Sequence, residues 1–387
     1  MFLYFPENYM WSLSVLRAIA AGGDFGEIDL ACQSLKAAAQ RPPQGDLEAW
    51  HAAWMTLAER VENVGREAAD SNHRQTAHEA LLRAAIYYQW AEAFLDPSDP
   101  RAKSVFGRHL DAFRKSAQLR AAPLEFLDIP FEGSSLPAYY VPAAGRDPGR
   151  PGPVAVLSGG LDSTNEELYP VAAVLSARGI SCLGVDWPGQ GAALRIGGHK
   201  ARHDTETAAS ACFDYLAGRP DVDIARVGLV APSLGGYNAP RAVAFEKRFK
   251  ACVAWGAIYD YHAIWRNRLN IGGDEPSTLN RAAAISTTGK HLLHILGASD
   301  FDDALHRLEP FTLAGIAGQI ECDFLLVHGE DDRQTSLAQA EQLFEEVGSK
   351  RKQMRVYTRE EGGSAHVQLD IQGPARNFLA DWLADRL

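Results

Sequence analysis

Val227-Gly228-Leu229-Val230-Ala231-Pro232-Ser233-Leu234-Gly235-Gly236 divides into two halves of different character. Its first half is a short, continuously apolar run, as expected of a strand buried on both faces. Its second half opens a helix. Ser233 stands at the junction, where a sharp strand-to-helix turn pushes a hydroxyl out beyond the end of a sheet, the arrangement called a nucleophile elbow. Small residues must flank such a turn because neighbouring backbones pass close to it. Ala231 stands where a glycine is usual and is still small. The competing reading of Ser233 is a plain helix N-cap. The strand on one side and the helix on the other favour the nucleophile.

Working outward, strands and helices alternate. Apolar strand-like runs are expected at 154–157, 180–185, 226–231, 251–255, 322–327 and 353–357, with helices at about 163–177, from 234, at 337–347 and at 374–386. Ser163 and Glu166 have capping-box spacing for the first of these helices. Asp204 is placed to cap a helix carrying Ala208, Ala211, Tyr215 and Leu216. Continuously apolar strands alternating with helices require a mainly parallel sheet covered on both faces. Two earlier strands, 124–130 and 136–141, are joined by the turn Glu132-Gly133-Ser134 and should pair antiparallel at one edge. Residues 1–122 show a period near 3.6 instead, for example Leu47, Trp50, Trp54, Leu57 and Val61, and predict an N-terminal helical region. Residues 123–387 then form the α/β domain, with a helical lid insertion over about 258–320, where the alternation stops.

A serine nucleophile needs a base and an acid. His366 lies in the glycine-rich loop Glu361-Gly362-Gly363-Ser364-Ala365-His366, after the last strand and so at the strand C-terminal edge where sites of such sheets lie. The acid that fixes the tautomer of the base is expected in Val327-His328-Gly329-Glu330-Asp331-Asp332. Asp332 is the choice and Asp331 the competitor, and His328 reads as a structural histidine. An oxyanion hole needs backbone N–H groups aimed at developing charge. Leu234 should supply one, and the loop Ser158-Gly159-Gly160-Leu161-Asp162 the other, from Leu161 or else Gly160. Possible substrate contacts are Asp162, Trp187, Tyr237, Tyr259, Asp260 and His262, each of which could equally be packing or loop chemistry.

Composition bounds the rest. The chain has 387 residues, 46% of them hydrophobic and 22% charged, with a formal charge of −11. That is a globular balance, and its sign disfavours nucleic acid or an anionic membrane as partner. The five cysteines lack paired spacing and are expected to be free thiols. No HExxH or related histidine spacing suggests a metal. No run of about 18 apolar residues and no basic leader is present, so the expectation is a cytoplasmic protein acting on a small molecule without a cofactor.

Gly159-Gly160-Leu161-Asp162-Ser163-Thr164-Asn165-Glu166-Glu167, Asp186-Trp187-Pro188-Gly189-Gln190-Gly191, Pro232-Ser233-Leu234-Gly235-Gly236, Trp255-Gly256 and Arg83-Ala84-Ala85-Ile86-Tyr87-Tyr88 together carry a resemblance. The chain resembles a group within the α/β-hydrolase superfamily that includes 2,6-dihydroxypseudooxynicotine hydrolase and fungal hydrolases that shorten polyketide chains. The resemblance implies the α/β-hydrolase fold, an N-terminal helical region packed on the core, a homodimer, and cofactor-free hydrolysis of a C–C bond beside a ketone. Plain ester hydrolysis also occurs in the group. The alternatives are a carboxylesterase, direct base chemistry by the His–Asp pair without an acyl-enzyme, and a non-catalytic binding protein on the same fold. The order Ser, Asp, His argues against the last.

Overall fold

A computed structural model describes residues 2–120, 122, 124–147, 149–269 and 289–387. The chain divides into two compact units, one built on 2–124 with 289–291, the other on 125–269 and 292–387.

The first unit is helical: α1 (Tyr9–Ala20), α2 (Phe25–Gln33), α3 (Leu47–Asp70), α4 (Arg74–Glu92) and α5 (Pro100–Gln118). Asn8, Asp24, Asp46 and Asp99 cap α1, α2, α3 and α5 by accepting a first-turn backbone N–H. The apolar period of α3 buries Trp50, Trp54, Leu57 and Val61. Trp50 packs against Trp11 (ring centroids 4.8 Å apart) and Trp54 (5.2 Å), and its indole N–H donates to the Trp90 carbonyl at 2.8 Å. Glu62 accepts from Tyr88 (2.6 Å) and Arg108 (2.7 Å), tying α3, α4 and α5 together.

In the second unit the chain runs β1 (Glu125–Phe131), β2 (Ser134–Val141), β3 (Gly152–Leu157), α6 (Tyr169–Ser176), β4 (Ser181–Val185), α7 (Gly191–Arg195), α8 (Glu206–Ala217), β5 (Val222–Pro232), α9 (Gly235–Phe245) and β6 (Ala251–Trp255). There follow α10 (Tyr261–Arg268), α11 (Gly289–Leu296, whose first three residues belong to the first unit), α12 (Phe301–Leu308), β7 (Asp323–Gly329), α13 (Leu337–Glu346), β8 (Lys352–Tyr357) and α14 (Gln372–Ala384). The strands form one eight-stranded sheet in the order β1-β2-β4-β3-β5-β6-β7-β8. β1 and β2 pair antiparallel and β2 meets β4 antiparallel, while every pair from β4 to β8 is parallel. This is the expected mainly parallel sheet with an antiparallel edge. β4, β6 and β7 are buried along their whole length, which is why they read as unbroken apolar runs rather than alternating ones.

Two local expectations are corrected. The α-helix expected from Ser163 starts later. Asn165–Leu168 make a 3₁₀ turn without a side-chain cap, and α6 starts at Tyr169 with a proline in its first turn. The Asn165 N–H that such a helix start would present is taken at 2.8 Å by the buried Asp186 carboxylate. Asp204 does not cap α8 either. Its carboxylate holds Arg202 by two bonds of 2.6 and 2.7 Å, and the helix begins after Thr205. Of the expected lid, residues 270–288 lie outside the described residues, and the described remainder contains α10, α11 and α12. The five cysteines are free, four buried and Cys322 half-buried. Among the described residues no helix is long and apolar enough to cross a membrane, and no cluster of three or more His, Cys, Asp or Glu could hold a metal.

Candidate active site

Ser233 lies just past β5, in the turn into α9, with φ of +61°. A non-glycine residue in the left-handed region is uncommon and costs energy. The turn is held by the Ser233 N–H donating to the Trp255 carbonyl (2.8 Å) and the Gly236 N–H donating back to the Ser233 carbonyl (2.6 Å). A side chain has no room opposite the serine. A Cβ on Gly160 would lie 2.9 Å from Ser233 Cβ and 3.3 Å from its Oγ. The second glycine of the 158–162 loop is therefore what lets that loop pass over the hydroxyl.

His366 follows β8 in the loop closed by Asp370, whose carboxylate accepts from the N–H groups of Gly363 (3.0 Å) and Ala365 (3.1 Å). Val367 and Gln368 also take left-handed backbone angles, +43° and +53°. Such a β-branched residue is a genuine outlier, and the loop is pinned there by the Trp255 indole N–H donating to Gln368 Oε1 at 2.5 Å. Gly329, at the end of β7, makes the crossing possible, because a Cβ on it would sit 2.3 Å from the Ser364 carbonyl.

These loops bring three expected groups into a line. The Ser233 hydroxyl donates to His366 Nε2 at 2.8 Å, and His366 Nδ1–H donates to Asp332 Oδ2 at 2.6 Å. The Asp332 side chain is fully buried, and its other oxygen accepts from the N–H groups of Gln334 (2.8 Å) and Thr335 (3.1 Å). Burial pushes this carboxyl toward the neutral form. The His366 imidazole beside it, with its hydrogen bond, and His328 outweigh that, and the carboxyl titrates below its ordinary range. Asp331 turns away to Arg359 (2.5 Å) and Ser364 Oγ (2.9 Å). The two neighbouring aspartates thus divide between an imidazole and a surface arginine. His328 is fully buried and 3.8 Å from Asp332, with Nε2–H donating to the Thr335 carbonyl at 3.1 Å. Burial lowers its pKa and keeps it neutral.

The backbone N–H groups of Gly160, Leu161 and Leu234 have no hydrogen-bond acceptor among the described residues. Unspent donors beside a serine hydroxyl are what an oxyanion site needs. The loop that carries two of them is braced by Gln190. Its Nε2 donates to the Gly159 carbonyl (2.7 Å), while its Oε1 accepts from Ser158 Oγ (2.9 Å) and Trp187 N–H (3.2 Å). Asp186 holds the adjacent turns through Asn165 N–H and Ala192 N–H. Desolvation and nearby Glu166 push its pKa up to about 8. Sequence reasoning passed over Gln190, Gln368 and Asp370. The one available signal was a glutamine set among turn-forming glycines at 189–191, where turn geometry alone gives no reason for a long polar side chain.

The remaining candidates are mostly engaged elsewhere. The Tyr237 hydroxyl donates to the His203 carbonyl (3.0 Å), and its ring packs 5.5 Å from Phe311. Tyr259 donates to Glu346 at 2.8 Å, and Asp260 caps α10 by accepting from Ala263 N–H at 2.8 Å. Their polar atoms therefore serve packing and capping rather than an open site. Trp187 is 1% exposed and lines a small cavity beside the 158–162 loop. Asp162 is half-buried near Tyr261, whose pKa its charge helps raise after desolvation. His262 is half-buried on α10.

Comparison with known proteins bears on this geometry. Residues 48–270 match the FrsA-like esterase family. The chain is 31% identical over 378 residues to the 20-hydroxy-prefusarin hydrolase FUS2 of Gibberella moniliformis, covering 89% of each protein. It is 34% identical over 293 residues to the hydrolase acrC of Aspergillus aculeatus, a match that takes in 70% of this chain and 66% of that protein. The chain thus spans just under two-thirds of the length of acrC. In structure it is similar to 2,6-dihydroxy-pseudo-oxynicotine hydrolase, with a TM-score of 0.78 over 96% of this chain and 95% of the other, at 24% identity. With the parallel sheet, the serine elbow and these relatives together, the chain belongs to the FrsA-like esterase family of the α/β-hydrolase fold.

Proposed function

We propose that the protein is a serine hydrolase in which Ser233 is the nucleophile, His366 the general base and acid, and Asp332 the group that orients the imidazole. The observation that carries this reading is the His366 ring lying between the serine hydroxyl and the buried carboxylate at 2.8 and 2.6 Å. Ser233 Oγ attacks a carbonyl carbon as its proton passes to His366 Nε2, and the Leu161 and Leu234 N–H groups hold the resulting oxyanion. Collapse breaks the bond to the leaving group, which takes the proton from the imidazolium. Water then attacks the acyl-enzyme, giving one proton to His366, and Ser233 recovers it as the acid departs.

For the substrate we propose a C–C bond beside a ketone in an aromatic or polyketide-like molecule. There the electrons of the broken bond rest on a carbon stabilised by a neighbouring carbonyl or an electron-rich ring, and His366 protonates that carbon. Support comes from the fold shared with 2,6-dihydroxy-pseudo-oxynicotine hydrolase and from the relative named a prefusarin hydrolase. A second reading, a carboxylesterase, is favoured by the esterase family match. Assay of aryl 1,3-diketones beside p-nitrophenyl esters separates the two. Diketone cleavage should fall by at least about 10³-fold in Ser233→Ala. Turnover confined to short esters would remove the C–C reading and leave the esterase.

A further inference from the structure

A cavity of about 10 Å³ lies against the oxyanion loop, room for one water-sized group. Its walls include Gly160, Leu161, Leu234, Trp187, Phe311 and Asn238. Of its other polar side chains, the Trp187 indole N–H is also buried without a partner among the described residues, and the rest are committed. Gln190 is spent on the Gly159 carbonyl, the Trp187 N–H and the Ser158 hydroxyl, Thr205 Oγ1 donates to the Asn238 carbonyl (2.8 Å), and Arg202 is held by Asp204 and Glu132. Asn238 differs. The residue is 6% exposed, and its carboxamide has no hydrogen-bond partner among the described residues, although its backbone N–H and carbonyl are bonded. Its amide atoms are not among those sealed from a water-sized probe, so a polar atom brought into the cavity from outside the chain can reach them.

The position of the cavity says which part of a substrate would bring that atom. Leu161 and Leu234 both line it and, in the serine hydrolase reading on which this inference rests, hold the carbonyl oxygen. Neither His366 nor any residue of its loop contributes a wall. The leaving group departs beside the imidazole, so the cavity, which has room for one small group and no wall from Ser233, takes the far end of the other substituent of the same carbonyl. We infer that Asn238 and this cavity form an acyl-side subsite for a short acyl group that carries one hydroxyl- or carbonyl-sized polar atom, bound to the Asn238 carboxamide.

The test compares p-nitrophenyl glycolate with p-nitrophenyl propionate, which place a hydroxyl or a methyl at the same point of the chain. A site built to hydrogen-bond a group discriminates against the analogue without it. The wild-type ratio of kcat/KM, glycolate over propionate, should therefore exceed the ratio for hydroxide-catalysed hydrolysis by at least about 10-fold. In Asn238→Leu, shown folded by its melting curve, the ratio should fall back to the hydroxide value. A wild-type ratio no higher than that of hydroxide overturns the subsite, as does a folded Asn238→Leu with an unchanged ratio. If that variant does not fold, the wild-type ratio decides alone. Labelling of Ser233 by a fluorophosphonate with neither ester turned over also overturns the subsite alone. Failure of both labelling and turnover removes the serine hydrolase reading and the subsite with it.

Discussion

Two adjacent aspartates of identical chemistry have unlike surroundings. Asp332 is sealed from solvent with an imidazole on one oxygen and two backbone N–H groups on the other, whereas Asp331 is bound to an exposed arginine. An isosteric amide separates their roles. Asp332→Asn leaves the packing but lets Nδ1 of His366 lose its acceptor, and kcat should drop by about 10⁴-fold. Asp331→Asn removes an exposed ion pair and disturbs one bond from the Ser364 hydroxyl, neither of which touches the His366 ring, and kcat should stay within a few-fold. Equal losses in the two variants would refute the assignment of Asp332. At this scale the sequence was readable wherever a residue type at the end of a strand admitted one chemistry, as with Ser233 and His366. It was less readable for the aspartates, because which carboxylate turns inward depends on contacts with Arg359 and Ser364, both distant in the chain.

At the scale of elements, the site draws on four strand ends, and two of its loops are held by a polar side chain. Gln190 supports the 158–162 loop from the start of α7, and Asp370 closes the histidine loop from just before α14. Gln190→Leu should let the donor loop drift without touching the Ser233–His366–Asp332 line. A misplacement of the order of 1 Å can cost about 10²-fold, so kcat should fall by up to that amount. Unchanged kcat would show that the loop keeps its position unaided. The apolar strands announced themselves, since burial on both faces leaves only one kind of residue to choose from. The capping pattern at Ser163 misplaced the start of the α-helix because such a pattern is local, whereas here a buried carboxylate from the next strand end, Asp186, holds the Asn165 N–H and α6 begins only at Tyr169. Braces such as Gln190 are hard to read for the same reason. Their partners are set by folding, and spacing carries no trace of them.

For the whole molecule, two buried groups beside one another make stability depend on acidity in separate windows. His328 titrates below its ordinary value of 6.5 because burial disfavours its charged form. Below about pH 6.5 the unfolded chain therefore binds a proton that the folded chain refuses, and stability falls as pH falls, by up to about 1.4 kcal/mol per pH unit. Asp332 also titrates low, so its contribution is intact above its ordinary value of 3.8 and is lost only at lower pH. Urea unfolding between pH 7 and 5 should show the histidine slope, and His328→Gln, which keeps a donor for the Thr335 carbonyl, should flatten it. An unaltered slope in that variant would assign the effect to another group.

The left-handed backbone at Ser233 sets the needs of folding against those of chemistry at a single position. Glycine would rest there without penalty, while any side chain costs roughly 1–2 kcal/mol, offset in part by glycine's greater freedom when unfolded. A Ser233→Gly protein should consequently melt higher than Ser233→Ala, both lacking the hydroxyl, by about 1–2 °C for a chain of this size. The more durable molecule would be the inert one.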